Sequence, residues 1–323
     1  MPSGSVERPR VWWGCVEQVI PLLSSAAPLY QDLEPGRAGS APFAVIGDTQ
    51  DTLFWEKWFL LRESNPVERA ALFSHLAAHR PEFLVHLGDL TCDGGSEARW
   101  REFDRLTEVL RGIVPLLPVM GNHDYWLSRA RADRQLHARF PQLRPRPWYT
   151  RAYGRLALVV LDTNARVLSS QEWQEQQAWY GTTLATYDKD PAIAGVLVFA
   201  HHPPYTNSTV TRDDAAVQRA FVPALAGSRK TLAMISGHIH AYEHFLEQGK
   251  HFIVAGGGGG PRVRLRSGMH QVHQDLCLGA APRPFHFLWM TPVADGVRVE
   301  VKGLEKGATA LQEMDQFDLR ARA

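Results

Sequence analysis

Cysteines are few in this sequence. Its three cysteines, Cys15, Cys92 and Cys277, are odd in number, far apart and never in a CxxC arrangement. A disulfide framework or a Cys-based zinc site needs several cysteines at short, regular intervals, so we expect neither. The composition favours a reducing compartment.

An excess of charge of one sign is also missing. Lys and Arg number 35 against 34 for Asp and Glu, which leaves a net charge of +1. No overall basic field is therefore available to attract nucleic acid or an anionic membrane surface. We expect a small-molecule partner and no nucleic acid.

Long apolar runs are absent as well. No run of about 18 or more apolar residues occurs, so a membrane span is not expected. The segment VWWGCVEQVIPLLSSAA faintly resembles a signal peptide, but Glu17 and Pro21 interrupt its apolar stretch. We expect a cytoplasmic location, with a secreted or periplasmic one as the alternative. The sequence does not indicate an oligomeric state.

The order of apolar and helical patterns predicts the domain organisation. Strand-like runs alternate with helical patterns early in the chain, and hairpin-like pairs follow late, which is typical of a mixed α/β domain. No linker divides the 323 residues. We expect one domain over residues 41–303, an N-terminal extension over 1–40 that packs on it, and a surface tail or short helix over 304–323.

Five polar motifs, each at or just beyond the end of an apolar run, define a candidate site. Acidic, amide and imidazole groups at the ends of buried strands are the donors of an oxygen- and nitrogen-ligated metal centre. The motifs are Gly47-Asp48-Thr49-Gln50, Gly88-Asp89, Gly121-Asn122-His123-Asp124, His201-His202-Pro203 and Gly237-His238-Ile239-His240.

Single motifs leave other interpretations open. Asp48 or Asp89 alone is equally consistent with an Asx turn or a helix cap, and GNHD alone with an ordinary turn. In an extended segment, His238 and His240 would point the same way, towards one centre. Because further histidines follow a separate buried strand, a metal-ligand constellation is favoured.

Taken in order, the motifs resemble those of the calcineurin-like metallophosphoesterase superfamily, whose pattern is D-x-H, GD-x-x-D, GNH-D/E, a lone H and GH-x-H. The resemblance covers residues 43 to about 260. Trp148-Tyr149, HHPPY at 201–205 and GHIHAYEH at 237–244 are similar to its purple-acid-phosphatase-like branch. The resemblance implies an α/β fold: a four-layer α-β-β-α sandwich of two mostly mixed sheets flanked by helices.

The resemblance also implies two metal ions, divalent or mixed-valence, drawn from Mn, Fe, Zn or Mg. Asp89 would bridge them. The implied ligands are Asp48, Gln50, Asp89 and His240 for one ion and Asn122, His201 and His238, with Asp89, for the other.

Other residues near the motifs receive roles beside the metal. The resemblance implies that His123 is the catalytic proton donor. Asp124 is a candidate catalytic carboxylate that orients His123, with Asp93 as the alternative. His202 and Tyr205 are candidate substrate contacts, although either could simply pack.

Two departures from the family pattern matter. Gln50 stands where the family has histidine, and an amide oxygen is a harder and weaker donor, which shifts the expected metal towards Mn, Fe or Mg. Cys92 stands where many members have Asp and purple acid phosphatases have tyrosine. The violet ferric–phenolate chromophore is therefore not expected.

These observations predict an enzyme, a dinuclear metallophosphoesterase that acts as a phosphatase or phosphodiesterase on a small phosphorylated substrate. The expected mechanism is in-line attack of a metal-bridging hydroxide on phosphorus, with His123 as the proton donor. The alternative is a catalytically silent scaffold of the same fold that binds a protein partner, which the departures at Gln50 and Cys92 favour.

Three weaker features carry alternatives. The glycine run 256–260 predicts a tight loop that permits close backbone approach near the site. Arg262, Arg264 and Arg266 alternate and could face the substrate or the solvent. The aromatic residues of 54–59 could line the pocket rim or pack in the core.

Overall fold

The chain is described by a computed structural model that covers residues 29–37, 39–277, 279 and 281–321. The segment that resembles a signal peptide, with Cys15, lies outside these residues. Within the described part, no helix has the length and apolar character needed to cross a bilayer.

Twelve strands within the described residues form the core of the fold. They are β1 (Phe43–Ile46), β2 (Leu84–His86), β3 (Leu116–Pro118), β4 (Tyr149–Tyr153), β5 (Leu156–Val160), β6 (Gly195–Ala200), β7 (Thr231–Ser236), β8 (Tyr242–Glu247), β9 (Lys250–Ala255), β10 (Phe285–Val293), β11 (Gly296–Leu304) and β12 (Gln312–Arg320).

In the part of the chain that the structure describes, six α-helices lie between the strands, with short 3-10 helices at 108–110, 123–125, 141–143 and 268–270. The helix α2 starts with Pro66, where a missing N–H leaves no bond unmade. The α-helices are α1 (Phe54–Phe59), α2 (Pro66–His79), α3 (Glu97–Leu106), α4 (Arg129–Arg139), α5 (Ser170–Lys189) and α6 (Ala215–Gly227).

The strands make two mixed sheets of six. The first sheet has the order β12-β11-β10-β1-β2-β3, and the second has the order β4-β5-β6-β7-β9-β8. In the first sheet β1, β2 and β3 run parallel, while in the second β5, β6, β7 and β9 do. Hairpin partners pair antiparallel at the edges.

Among the described residues, three apolar cores hold four layers together. One core lies between the sheets and contains Val45 and Val85 from the first and Leu158 and Ile253 from the second. A second core packs α2, α3 and α4 on the outer face of the first sheet, and a third packs α5 and α6 on the second. The predicted four-layer α-β-β-α sandwich is confirmed.

The ends of the chain differ from the prediction in one respect. Within 1–40, the described residues 29–37 include Tyr30 and Leu33, which are buried in the cores. The surface tail or short helix predicted for 304–323 is wrong over 312–320, because β12 pairs antiparallel with β11 along its length. As an edge strand, β12 buries fully only Leu319, so it lacks the apolar run of the central strands.

Candidate metal centre

Both sheets present the carboxyl ends of their parallel strands at one edge of the molecule. The motifs of the sequence occupy the turns that follow these ends, as ligand-binding residues do in open α/β sheets. Asp48 follows β1, Asp89 follows β2, Asn122 and His123 follow β3, His201 follows β6, and His238 and His240 follow β7.

Three non-glycine residues of the motifs have left-handed backbone conformations. Asp48, Asp89 and His238 have φ values of 59°, 53° and 68°. Such conformations cost non-glycine residues about 1–3 kcal/mol each and persist only where the surroundings hold them. The Asp48 carboxylate accepts the backbone N–H of His238 at 2.9 and 3.0 Å, which joins two of the turns.

The first predicted ligand group comes together. His240 Nε2 lies 3.4 Å from Asp48 Oδ1, and Gln50 Nε2 lies 3.0 Å from Asp89 Oδ2 and 3.2 Å from His240 Nε2. The Gln50 Oε1 atom is buried without a hydrogen-bond partner among the described residues. An oxygen donor that no protein group satisfies is what a cation would need here.

The second predicted group lies directly beside the first. His201 Nε2 is 3.1 Å from Asn122 Oδ1, 3.2 Å from His238 Nδ1 and 3.4 Å from Asp89 Oδ1. The two oxygens of Asp89 therefore face different groups. This is the arrangement expected of a carboxylate that bridges two ions.

Burial sets the charge of the site. It lowers the pKa of His238 to about 3 and that of His201 well below its ordinary value, so both imidazoles are neutral donors. It also raises the pKa of Asp48 to about 6, against the opposing effect of His240. Asp48, Asp89 and His201 offer donor atoms within 4.8 Å of one another. Neutral imidazoles, carboxylates and an unsatisfied amide oxygen fit a pair of metal ions.

His123 lies beside these groups and lines the cavity described below. Its Nδ1 atom is 3.1 Å from the carbonyl oxygen of Cys92, and its backbone N–H donates to Asp89 Oδ1 at 2.9 Å. Its ring stacks on Trp126 at 4.6 Å. Asp93, the alternative carboxylate for orienting His123, has no hydrogen bond to it among the described residues and accepts the Gly95 N–H through Oδ1.

Asp124 likewise does not orient His123. Its two oxygens accept four backbone N–H groups at 2.8–3.2 Å, and the side chain is fully buried. The donors are Asp89, Leu90, Thr91 and Gly121. Asp124 therefore holds two of the turns in place through backbone hydrogen bonds, and a catalytic role for it stays a prediction.

The two candidate substrate contacts have different surroundings. His202 Nδ1 lies 2.9 Å from Thr163 Oγ1, and its ring is 4.7 Å from that of His238, so it adjoins the centre. Tyr205 packs its ring on Phe252 and His273. Tyr205 is not among the residues that line the cavity described below, and its role as a substrate contact stays a prediction.

A cavity of about 570 Å³ opens at the centre. This size suits a small organic molecule. The motifs contribute Asp89, Asn122, His123, His238, Ile239 and His240 to its lining, and the segments 61–63, 209–211 and 261–264 contribute the rest.

The arginine series divides between two places. Arg262 lines the cavity but forms an ion pair with Glu63 at 2.8 Å. Arg264 also lines the cavity and is exposed. Arg266 lines a neighbouring cavity instead. Only part of the predicted strip therefore faces the site.

The glycine run approaches the centre closely, as predicted. Gly258 and Gly260 donate backbone N–H bonds to the carbonyl oxygens of Gly47 and Asp48 at 2.8 and 2.9 Å. A Cβ atom at Gly260 would lie 2.7 Å from the His240 ring. The absence of a side chain at Gly260 thus leaves room for the ring of His240.

Sequence reasoning missed the supporting residues after β5. Thr163 holds His202, and the Asn164 side chain donates to the carbonyl oxygen of Met120 at 2.8 Å. Asp162 accepts the Tyr125 hydroxyl at 2.8 Å, which links the loop after β3 to the second sheet. The segment DTN after an apolar run was the available signal.

Comparison with known proteins agrees with this geometry. The family model described as calcineurin-like phosphoesterase matches residues 41–242. Purple acid phosphatase 22 of Arabidopsis thaliana is 24% identical over 214 residues, which are 63% of this chain and 45% of the relative. A probable cyclic nucleotide phosphodiesterase of Rhodopseudomonas palustris is 26% identical over 212 residues, which are 61% of this chain and 71% of the relative.

A solved structure supports the fold. The purple acid phosphatase PPD1 from yellow lupin (Lupinus luteus) superimposes with a TM-score of 0.63 at 16% identity and covers 89% of this chain and 55% of that one. The match to purple acid phosphatase 22 of Arabidopsis thaliana spans less than half of that relative's length. Since the family model matches well over half of the chain, the chain belongs to the calcineurin-like phosphoesterase family.

Proposed function

We propose that the protein is a metal-dependent hydrolase of small phosphoesters. The observation that carries the proposal is the convergence of carboxylate, amide and neutral imidazole groups from both sheets on one cavity. The family membership supports phosphoester hydrolysis in general. The cavity volume of about 570 Å³ favours a small organic phosphate over a protein substrate.

The proposed metal ligands are those of the two groups described above. Asp89 is the shared ligand, since its oxygens face Gln50 on one side and His201 on the other. When bound, two metal ions would supply positive charge for the phosphate oxygens and lower the pKa of a water molecule.

The proposed role of His123 is to hold a proton beside the leaving oxygen. Its Nδ1 atom lies against the Cys92 carbonyl, which can only accept, so that nitrogen carries a hydrogen. The other ring nitrogen is the one available to the substrate. Stacking on Trp126 fixes the plane of the ring. General-acid assistance of this kind contributes about 10²–10⁴-fold to rate.

Release of p-nitrophenol from p-nitrophenyl phosphate and from bis(p-nitrophenyl) phosphate tests the proposal. Each ester is assayed with Mn, Fe, Zn or no added metal, after removal of metal by a chelator. We expect turnover that depends on metal, and the ratio of the two rates separates monoester from diester preference. Pure, metal-loaded protein that hydrolyses neither ester would contradict the proposal.

A scaffold that binds a protein partner is the second candidate, because Gln50 replaces the imidazole ligand of the family pattern. The position of His123 at the cavity opposes it, since a scaffold has no need of a proton donor. The readings separate on one comparison. A scaffold would bind metal without turnover, and His123→Ala would then change nothing measurable.

A further inference from the structure

The helix α1 exposes an apolar surface beside the cavity. Six large apolar residues within 54–61 are exposed, and none of them belongs to the core clusters of the described chain. Their side chains are exposed by 73% at Phe54, 44% at Trp55, 62% at Trp58, 78% at Phe59, 52% at Leu60 and 86% at Leu61. Contiguous apolar surface of this kind marks an interaction site.

The polarity of α1 is the reverse of that of a water-facing helix. Its one buried residue is Glu56, whose carboxylate accepts the Leu53 N–H at 3.0 Å and the Arg62 guanidinium at 2.7 Å. The Arg62 N–H also donates to the Glu56 carbonyl at 3.1 Å. The hydrogen bonds of Glu56 therefore hold its carboxylate towards the protein, so that the aromatic side chains of α1 face outward. An ordinary surface helix turns its apolar side chains inward and its charged ones outward.

The exposed charge and the shape of α1 indicate the kind of partner. Lys57 is the only exposed charged residue among residues 54–67, all of which are described. Every residue of α1 except Glu56 is exposed, so the helix protrudes, and a protein partner would need a deep matching groove. Trp, Phe and Leu with a cation are the side chains that enter the boundary between headgroups and acyl chains.

We propose that α1 is a docking element that inserts its aromatic side chains into the surface of a phospholipid bilayer. Lys57 then faces the headgroup phosphates, and burial of apolar surface supplies most of the binding free energy. The chain continues from α1 directly into Leu61, Arg62 and Glu63, which line the cavity. Docking would hold the mouth of the cavity close to the bilayer.

Vesicle binding of the full chain tests the inference without any assay of hydrolysis. The probe is sedimentation with vesicles of phosphatidylcholine mixed with phosphatidylglycerol, together with the blue shift of tryptophan fluorescence. We expect wild type to bind the vesicles. The partition coefficient of W58S/F59S should be lower by about 10-fold or more, since two large apolar side chains are lost. Thermal unfolding checks that the variant is folded.

The matched control removes exposed apolar surface elsewhere. Val109 and Ile113 are exposed by 47% and 58% near the start of β3, at the opposite end of the first sheet from α1. We expect V109S/I113S to bind vesicles as wild type does. No vesicle binding by wild type, or equal binding by W58S/F59S, would overturn the inference. So would self-association of wild type without vesicle binding, if W58S/F59S abolishes that self-association, since α1 would then cover a second copy.

Discussion

The two sheets contribute different chemistry to one centre. The turns of the first sheet supply carboxylate and amide oxygens, and those of the second supply imidazole nitrogens. Neither sheet supplies all of the proposed ligands on its own. The first set is Asp48, Gln50, Asp89 and Asn122, and the second is His201, His238 and His240.

The difference shows why the centre depends on how the sheets pack. Contacts that cross between the sheets bring the two sets together, among them His238 N–H to Asp48 and His201 beside Asp89. The Tyr125 hydroxyl and Asp162 make a third such contact away from the proposed metal position. Correct ligand geometry is therefore a property of the whole sandwich and of no single loop.

Asp89→Asn should produce the largest effect, because one oxygen of Asp89 faces Gln50 of the first set and the other faces His201 of the second. A neutral amide with a single oxygen cannot replace a bridging carboxylate. We expect a fall in turnover on the order of 10³-fold, with loss of bound metal by elemental analysis. Asp295→Asn, in the exposed turn between β10 and β11, is the control. Full metal content in Asp89→Asn would refute a bridging role.

His123→Ala should produce the next largest effect and separates proton transfer from metal binding. His123 contacts the Cys92 carbonyl through its side chain and Asp89 only through its backbone N–H, which alanine retains. We expect turnover of p-nitrophenyl phosphate to fall about 10²–10³-fold while metal content stays near that of wild type. Loss of metal in this variant would instead make His123 a ligand.

Gln50→His would place an imidazole among the oxygen donors of the first sheet. The variant therefore tests whether the difference in donor type between the sheets affects metal binding. Gln50 already lies within 3.0–3.2 Å of Asp89 and His240 and has a buried oxygen without a partner. We expect metal affinity, measured by competition with a chelator, to rise on the order of 10-fold, as other changes around metal ligands do. An unchanged affinity would show that residue 50 does not contact the metal.

The fold was predictable because the central strands are buried on both faces. Runs such as those of β5, β6 and β7 have no polar alternation, and the polar residues that end them are equally distinct. β12 was not predictable, since an edge strand with one buried residue has the composition of a surface segment.

The site was predictable in its membership and less so in its orientations. The position of Asp124 next to His123 in sequence suggested a pair, but both lie in the 3-10 helix 123–125. Neighbours in such a helix point about 120° apart, so Asp124 turns into the protein while His123 faces the cavity. The aromatic residues of α1 misled in a similar way, because outward apolar side chains have the same spacing as core residues.

Glu63→Gln should produce the smallest effect. It tests the ion pair between Glu63 and Arg262 at the cavity rim. Burial alone would raise the pKa of Glu63, but hydrogen bonds from Arg262 and Lys306 outweigh it and hold that pKa at about 2. Because the folded pKa is below the ordinary 4.5, the carboxylate stabilises the fold above pH 4.5. That contribution is lost as the pH falls from about 4.5 to about 2.

Solvent at the rim screens this ion pair, so its contribution is about 1 kcal/mol. Denaturant unfolding with chelator present, at neutral and acidic pH, measures it free of metal loss. Between the two pH values, wild type should lose about 1 kcal/mol more of its free energy of unfolding than Glu63→Gln. The pair joins the segment after α1 to the loop after β9. An equal loss of the free energy of unfolding in both proteins would mean that this contact at the rim contributes nothing. The packed sheets alone would then hold the two ligand sets together.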